Sequence, residues 1–320
     1  KVAAAAVIGC NAHPSTEKIL HLTFRRTRAI KEKLLFELDP YDFHWISRKT
    51  VEQNQYAWKA NLLGGGRLHR LLQRLFTNVP TLGEFLEQKR QNDGWQFGEG
   101  YSVGCGAKLN ALPNALKLVK LSPKERMQQF KLKRTPKLAP WITGKKDVPP
   151  EALTIRGIDG DFVGTCERLF FEEPRKLIRQ IFTPPHVLIR EIVDGQSIPA
   201  VFSDDELVFS KQIVGVYAPK RDKDRLFKLA DRLNSPGLYG VLAAVVSSRM
   251  LIARSTSLLK SDIMALPYPD HKQEVERTFW EQALIEDIGD YLVDFRHSGE
   301  NAAVLTKTDK TDLRNFGEMY

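Results

Sequence analysis

Cysteine is scarce in this sequence, and paired metal ligands are missing. The three cysteines, Cys10, Cys105 and Cys166, lie far apart among 320 residues, and no CxxC pair occurs. This spacing excludes the disulfide framework of a small secreted protein, so we expect a reducing, cytoplasmic location. The seven histidines are scattered without the spacing that is typical of metal ligands, so no metal site is expected.

Long apolar runs are absent as well. No stretch approaches the ~18 consecutive apolar residues that a membrane-spanning helix needs, so no membrane span is expected. Residues 2–9, VAAAAVIG, are apolar but short, and they lack the basic leader and the cleavage site of a signal peptide. Because the chain begins at Lys1 rather than Met, we interpret these residues as a strand inside a longer protein.

Two glycine-rich segments lack the residues that would make them cofactor loops. Gly64–Gly66 is followed by Arg67 rather than by the Lys-Ser/Thr pair of a phosphate-binding loop. Residues 97–106 follow polar residues, whereas a dinucleotide or methyl-donor loop follows an apolar strand. We therefore interpret the triple glycine as a joint that opens a helix, and we expect no cofactor in this chain.

The sequence also lacks a convincing catalytic motif. An adenine-modifying methyltransferase needs an Asp/Asn-Pro-Pro-aromatic tetrad, which holds the amino group and stacks the flipped base. Asp39-Pro40-Tyr41 lacks the second proline, and Thr183-Pro184-Pro185-His186 lacks both the acid and the aromatic residue. Glu87-Gln88-Lys89 has the end of a nuclease motif but no acidic pair before it. No catalytic residue is therefore predicted.

Positive charge, in contrast, is concentrated in one segment of the chain. The whole sequence has a net charge of +9, yet residues 101–146 alone contain 11 lysines and arginines against a single acid, Glu125. Residues 147–320 have the opposite balance, with 22 basic and 28 acidic residues. A charged face usually serves only solubility, but so uneven a distribution is typical of a protein that binds a polyanion. We therefore expect a nucleic-acid partner.

Two basic clusters provide the candidate contacts to nucleic acid. One follows a predicted strand, and the other flanks a tryptophan in a proline-interrupted stretch. Basic groups that bind phosphates position a protein, while a few other side chains read the bases. Taken singly, each basic residue has the alternative role of a solvated surface residue. The predicted contacts are Arg25, Arg26, Arg28, Lys131, Lys133, Arg134, Lys137, Trp141, Lys145 and Lys146.

Periodicity and turn residues predict a soluble α+β protein of one or two domains. Apolar spacing predicts helices at 25–38, 67–76, 82–91, 222–234, 238–253 and 273–295. In the last of these, one apolar stripe predicts a long packed helix; it contains Val275, Phe279, Leu284, Ile288, Leu292 and Phe295. Short apolar runs predict strands at 2–9 and 19–24 and a β-meander from residue 187 to residue 218. Within the meander, Asp194-Gly195 is typical of a hairpin turn.

Six segments, spread over most of the chain, carry a family resemblance. They are LTFRRTR…FELDPYDFHWI (22–46), WKANLLGGGRL (58–68), TLGEFLEQKRQNDGWQFGEGY (81–101), RKLIRQIFTPPHVLIRE (175–191), SIPAVFSDDELVFSKQIVGVYA (197–218) and LADRLNSPGLYGVL…LLKSDIMALPYP (229–269). In this order they resemble the C-terminal part of N-6 adenine DNA methylases of the prokaryotic type IIG restriction–modification class. The last segment is also similar to type I specificity subunits, in which an LNS helix and a Leu-Pro-x-Pro end mark the target recognition domain.

The resemblance implies a division of the chain. Residues 1–63 would be the end of a methyltransferase domain with its exit strands and helices, 64–90 a helical linker, and 91–320 a DNA target recognition domain. Its implied partners are double-stranded DNA and an upstream methyltransferase domain. S-adenosylmethionine is implied for the parent protein but not for this chain, because the donor-binding and tetrad motifs would lie upstream of Lys1. We expect base reading near residues 94–101 and in 154–191.

Two other interpretations stay open. The chain could be a complete nucleic-acid-modifying enzyme with an unrecognised site, so whether it is an enzyme is undecided. It could also be an RNA-binding or assembly module, although no aromatic ribonucleoprotein signature occurs in the sequence. The recognition sequence, an attached nuclease and the oligomeric state are not indicated by the sequence.

Overall fold

The computed structural model of the chain describes many of the predicted helices and strands. The described residues are 16–22, 43–54, 56–101, 124, 145–165, 178–250, 256–269 and 276–297. They form a mixture of helices and strands, which confirms the α+β fold class. The strand predicted at 2–9 and the helix predicted at 25–38 lie outside the described residues.

The described helices and strands are each numbered in chain order. The helices are α1 (Arg48–Gln53), α2 (Ala57–Asn78), α3 (Leu82–Asp93), α4 (Lys223–Asn234), α5 (Leu238–Val246), α6 (Lys260–Met264) and α7 (Phe279–His297). The strands are β1 (Lys18–Leu22), β2 (Phe43–Ser47), β3 (Gln96–Glu99), β4 (Lys146–Val148), β5 (Leu153–Thr154), β6 (Gly157–Ile158), β7 (Gly164–Thr165), β8 (His186–Arg190), β9 (Ala200–Ser203), β10 (Leu207–Phe209) and β11 (Ile213–Tyr217). The helices predicted at 82–91 and 222–234 are confirmed as α3 and α4.

The chain divides into two compact units. Unit one combines Lys1–Leu82 with Pro236–Tyr320, and unit two is the continuous segment Gly83–Ser235. These boundaries differ from the predicted divisions after residues 63 and 90, because the segment from Pro236 onward groups with the N-terminal part of the chain. The predicted division concerns function, and it stays a prediction.

Unit one contains a two-stranded antiparallel sheet of β1 and β2. Strand β1 confirms the strand predicted from residue 19. Side chains of a strand alternate between its two faces, so Ile46 of β2 is buried whereas its neighbour Trp45 is exposed. On the buried side, His21 meets Trp58 of α2 edge to face, with ring centroids 5.0 Å apart. The sheet therefore packs against α2 on one face only.

Helix α2 contains the triple glycine. Its backbone is helical on both sides of Gly65, but Gly65 itself has φ +58° and ψ −151°, so the helix is kinked there. Such a positive φ is strained for residues with a side chain, which is why glycine occupies the kink. The helix predicted at 67–76 is the second part of α2. The glycine run lies inside unit one and not between the two units.

The apolar stripe predicted for the last helix is confirmed in part. Leu284, Ile288 and Leu292 of α7 are buried in unit one. Phe279 was predicted to continue the same stripe, and this prediction is wrong because Phe279 is 76% exposed. The helix begins only at Phe279, so its first turn extends past the neighbouring core.

Unit two is built around a four-stranded antiparallel sheet in the order β3-β11-β8-β9. Strands β8 and β11 lie at its centre, and nearly all of their side chains are buried. Helix α4 packs on β8 and β9 through Leu226, Leu229 and Leu233. At the end of α4, the amide of Asn234 accepts from the Ala200 N–H at 3.0 Å and donates to the Ala200 carbonyl. This side chain therefore completes the hydrogen bonding of β9.

The prediction of a β-meander is wrong in its strand order, although all four of its strands exist. Strand β10 does not pair with β9 or β11 but with β4, in a parallel arrangement within a second sheet of order β10-β4-β7. Asp205 and Glu206, between β9 and β10, form ion pairs with Lys146 and Lys145 at the start of β4. Burial of Leu207, Val208 and Phe209 of β10 stabilises this pairing far more than the exposed ion pairs can, and β11 then returns to β8.

The core of unit two lies around Phe209 of β10. Phe209 meets Phe182 edge to face at a centroid distance of 4.9 Å and is packed with Ile181 and Leu188. Between β8 and β9, the predicted hairpin turn is confirmed, because Asp194 and Ser197 exchange backbone hydrogen bonds of 2.8 and 3.1 Å.

Candidate nucleic-acid interface

Eight of the ten predicted contacts lie outside the residues that the structure describes. They are Arg25, Arg26, Arg28, Lys131, Lys133, Arg134, Lys137 and Trp141. The other two, Lys145 and Lys146, lie at the start of β4 in unit two. The structure therefore locates only the end of the basic segment, and the predicted contacts stay predictions.

Both described lysines form ion pairs with carboxylates. Lys146 binds Asp205 at 2.8 Å, and Lys145 binds Glu206. The side chains of Lys146 and Asp205 are more than half exposed, and exposed ion pairs stabilise a protein by only about 0–1 kcal/mol. DNA phosphates can therefore compete with these carboxylates for the two ammonium groups.

Trp95 and Tyr101, at the two ends of the glycine-rich segment 94–101, are buried rather than offered to a partner, and Phe97 between them is half-buried. The Trp95 indole N–H donates to Asp222 at 3.0 Å, and the side chain has no exposed surface. The Tyr101 hydroxyl donates to Asp147 at 2.9 Å, and the Tyr101 ring belongs to the core of unit two. Trp95 and Tyr101 thus hold the loop in place and do not read bases.

A short hairpin of β5 and β6 presents a tip to solvent in the segment where base reading was expected. Ile155 and Arg156 occupy the turn, and both are exposed. The Thr154 hydroxyl donates to the Gly157 carbonyl at 3.1 Å and accepts from the Arg156 N–H at 3.2 Å, which fixes the turn. Phe162, a few residues further along, is 57% exposed. The tip therefore offers a guanidinium and the apolar side chain of Ile155.

The first turns of α4, in unit two, expose basic side chains next to aromatic ones. Phe227 is 59% exposed and meets Phe202 of β9 at a centroid distance of 6.2 Å. The Lys223 ammonium lies 5.3 Å from the centre of the Phe202 ring and also pairs with Asp204. Four basic side chains are exposed on or beside these turns, namely Lys220, Arg221, Arg225 and Lys228. The sequence alone did not identify this surface, because the same residues also fit the pattern of an ordinary amphipathic helix.

The near miss of a catalytic tetrad at residues 183–186 is part of the core. His186 is fully buried, and its Nδ1 lies 2.7 Å from the Ile181 carbonyl, to which it donates. Burial lowers the pKa of the His186 imidazole. This histidine therefore packs the sheet of unit two and does not present a base to solvent.

Lys59 is the most unusual ionisable group that the structure describes in unit one. Its ammonium donates to the carbonyls of Ser247, Ala244 and Met250, the last two at 3.3 and 3.4 Å. Burial lowers the pKa of Lys59, and the nearby carboxylate of Asp262 opposes this effect. A lysine that binds the last carbonyls of a helix caps that helix. Lys59 therefore fastens the end of α5 to α2.

None of the described helices is long and apolar enough to cross a membrane. Within the same part of the chain, no group of three or more histidine, cysteine, aspartate or glutamate side chains is arranged to hold a metal ion.

Comparison with known proteins does not assign the chain to a family. No model of a known protein family matches it, and no curated protein matches it either.

Proposed function

We propose that this chain is the sequence-specific DNA recognition module of a restriction–modification adenine DNA methyltransferase. It would position target DNA for methylation from S-adenosylmethionine, a reaction carried out by a domain upstream of the chain. The observation that carries the proposal is the segregation of charge, with 11 basic residues and one acidic residue in 101–146. Such a segment attracts the phosphate backbone of DNA whatever its base sequence.

The narrower part of the proposal rests on the resemblance of six segments to type IIG methylases. Asn234, the asparagine of the LNS segment, supports it indirectly, because its amide bonds both backbone groups of Ala200. That role explains why an asparagine stands at the end of this helix, where the resemblance places it. The methyl donor and the catalytic tetrad would belong to the upstream domain.

Unit two offers exposed groups that fit the recognition of bases. Arg156 lies at the tip of a fixed turn, and Phe162 is exposed nearby in the chain. A guanidinium binds guanine by two parallel hydrogen bonds in the major groove, and apolar groups contact the thymine methyl. These residues fall within the segment 154–191, from which base reading was expected. Arg156 is therefore our first candidate for a reading residue.

Affinity and specificity would then come from different parts of the chain. The basic segment would bind phosphates and supply affinity for any sequence, because phosphate contacts carry no sequence information directly. A few side chains of unit two would supply the choice of sequence, each contributing about 1–3 kcal/mol of discrimination.

The experiment that tests the proposal measures binding of fluorescent duplexes to the 320-residue chain at increasing salt. Each neutralised phosphate adds about 0.9 to the slope of log affinity against log salt, so we expect a slope of several units. A slope near zero, or no binding at low salt, would contradict the proposal. RNA duplexes of the same sequence serve as the comparison, and preferential RNA binding would favour an RNA-binding module instead.

A second assay separates the proposal from the interpretation as a complete enzyme. The chain is incubated with duplex DNA and S-adenosylmethionine labelled in the methyl group. We expect no labelled adenine, because both near misses of the tetrad lack necessary groups. Labelled adenine formed by the isolated chain would show that the chain is an enzyme.

A further inference from the structure

Helix α2 of unit one carries charge of one sign only. Its 22 residues include Lys59, Arg67, Arg70 and Arg74 and no aspartate or glutamate. The three arginines are spaced by three and four residues, so they lie along one face of the helix. Like charges at this spacing repel and weaken a helix. A bound anion would remove this repulsion.

Two of the three arginines lack a carboxylate partner among the described residues. Arg74 binds Glu281 at 2.5 Å. Arg67 and Arg70 are exposed, and the Arg70 Nε–H donates to the Gly66 carbonyl of the same helix at 3.3 Å. Since a backbone carbonyl does not neutralise a guanidinium, neither positive charge is compensated by a carboxylate in the part of the chain that the structure describes.

The first turn of α7 places two aromatic rings next to the ion pair of Arg74, the last arginine of this basic face. Phe279 and Trp280 are 76% and 69% exposed, and their ring centroids lie 5.3 Å apart. They directly precede Glu281, the residue that binds Arg74, so they lie within one helical turn of that ion pair. Rings this exposed add little to folding, because they remain in contact with water.

The position of these rings is fixed by hydrogen bonds at the start of α7. The Thr278 N–H donates to Glu281 Oε2 at 2.9 Å, and the Glu281 N–H donates to Thr278 Oγ1 at 3.3 Å. This reciprocal pair is a capping box, which defines the first turn of a helix. Arg74 holds the other oxygen of the same carboxylate. The rings therefore sit on a rigid turn that is tied to the basic helix.

We propose that Arg67, Arg70, Phe279 and Trp280 form a second nucleic-acid contact, which lies in unit one, outside the basic segment. The arginines bind backbone phosphates, and the rings stack on unpaired bases. Aromatic rings beside basic groups are the arrangement by which proteins bind single-stranded nucleic acid. The partner class rests on the proposed function, and the uncompensated charge of α2 argues for a polyanion rather than an apolar protein surface.

The test compares variants of the full chain on a single-stranded oligonucleotide and on the matching duplex. Arg67→Ala with Arg70→Ala should lower the log–log salt slope by about 1.8 on the duplex and by about 1.4 on the single strand. The matched control is Lys49→Ala with Arg249→Ala, which removes the same charge from other exposed positions of unit one and should leave both slopes unchanged. Arg67→Lys with Arg70→Lys should restore the slope, since it keeps the charge.

The rings are tested separately. Phe279→Ala with Trp280→Ala should weaken single-strand binding roughly tenfold or more and leave duplex affinity nearly unchanged, because only unpaired bases can stack on the rings. Circular dichroism and thermal unfolding check that each variant is folded.

The outcomes separate this inference from the proposed function. If the wild-type chain binds with a steep salt slope but the arginine variant matches its control, the inference fails and the proposed function stands. If the ring variant binds the single strand as well as wild type, stacking is excluded and the rings belong to a protein interface. If the wild-type chain binds no DNA, both proposals fail.

Discussion

At the scale of single residues, Asp147 couples the stability of unit two to pH. Its half-buried carboxylate accepts from the Tyr101 hydroxyl, and burial raises the pKa of Asp147 to about 6 from the ordinary 3.8. Between these two values the folded state keeps a proton that the unfolded state has lost. Its contribution to stability is therefore fully present below pH 4 and is lost as the pH rises through 6.

Replacement of Asp147 by asparagine should remove this pH dependence. The full pKa shift would correspond to about 3 kcal/mol, and partial exposure of the carboxylate reduces this to about 1 kcal/mol. We therefore expect Asp147→Asn to raise the free energy of unfolding at pH 7 by about 1 kcal/mol and to leave it unchanged at pH 4. Urea unfolding between pH 4 and 7 measures the effect. Tyr101→Phe is the control, because it removes the hydrogen-bond donor but leaves the titrating carboxyl of Asp147. If the stability of Asp147→Asn depended on pH as that of the wild type does, Asp147 would not be the titrating group.

Lys59 allows a second prediction at the same scale. Lys59→Met keeps the length of the side chain but removes the ammonium that binds three carbonyls. We expect unit one to lose about 1.5–3 kcal/mol of stability, the usual contribution of hydrogen bonds from a charged group. Lys49→Ala is the control at an exposed position, with an expected change within about 0.5 kcal/mol. Equal thermal midpoints for the two variants would show that Lys59 is not a cap.

At the scale of elements, apolar periodicity located several helices because their buried positions recur on one face. Helix α4 shows this, since Leu226, Leu229 and Leu233 are buried and the helix begins one residue from the predicted start. Periodicity did not place every helix end, because the helix predicted at 238–253 ends at Val246 and the one predicted at 273–295 begins at Phe279.

The strands of the predicted meander were located correctly, but their partners were not, and no strand was predicted at the positions of β3 to β7. The pairing of β10 with β4 joins residues about 60 positions apart and buries Leu207, Val208 and Phe209, and no local pattern contains that information.

The candidate surfaces were less predictable than the elements. Trp95 lies in a glycine-rich segment and Phe279 in an amphipathic helix. Both are aromatic, yet Trp95 is fully buried and Phe279 is 76% exposed. Exposure depends on where an element ends relative to its neighbours, which a single sequence does not specify. One local signal could have identified the start of α7, because Thr278-Phe279-Trp280-Glu281 has the spacing of a capping box.

The triple glycine yields a graded prediction, since each position has a different environment. A Cβ at Gly64 would lie 2.8 Å from Leu68 Cβ and 3.0 Å from Ile288 Cδ1, so Gly64→Ala should destabilise unit one by about 1–3 kcal/mol. Gly65→Ala should cost about 1–2 kcal/mol because of its positive φ. A Cβ added at Gly66 would meet no atom within 4 Å, so Gly66→Ala should stabilise α2 by about 0.5–1 kcal/mol. Thermal unfolding of the three variants tests the order, and three equal effects would contradict the kinked packing.

At the scale of the whole molecule, charge and compact units follow different boundaries. The basic segment 101–146 lies within the sequence of unit two, while the basic helix α2 belongs to unit one. The two candidate DNA contacts thus lie in different units, so each can be varied by mutation without changing residues of the other unit.

A five-alanine variant tests where affinity lies. Replacement of the basic residues of the segment by alanine should weaken binding about equally to all DNA sequences, because ammonium and guanidinium groups there would contact phosphates. The replaced residues are Lys131, Lys133, Arg134, Lys145 and Lys146. The double variant Asp205→Asn with Glu206→Gln is a control that should change the affinity for DNA in the opposite direction. It releases Lys145 and Lys146 from their ion pairs, so it should strengthen binding to all sequences.

The comparison is made on cognate and scrambled duplexes, with the cognate site defined by the joined methylase. If the five-alanine variant loses cognate binding selectively, the basic segment reads bases and our assignment is reversed. If the variant keeps its affinity for both the cognate and the scrambled duplex, the basic segment is a solvated surface and contributes only solubility. Arg156→Ala completes the comparison, because loss of a base contact should reduce the preference for the cognate duplex by about 1–3 kcal/mol while scrambled binding is kept. A preference for the cognate duplex that the five-alanine variant leaves unchanged and that Arg156→Ala reduces is what a division between phosphate binding and base reading requires.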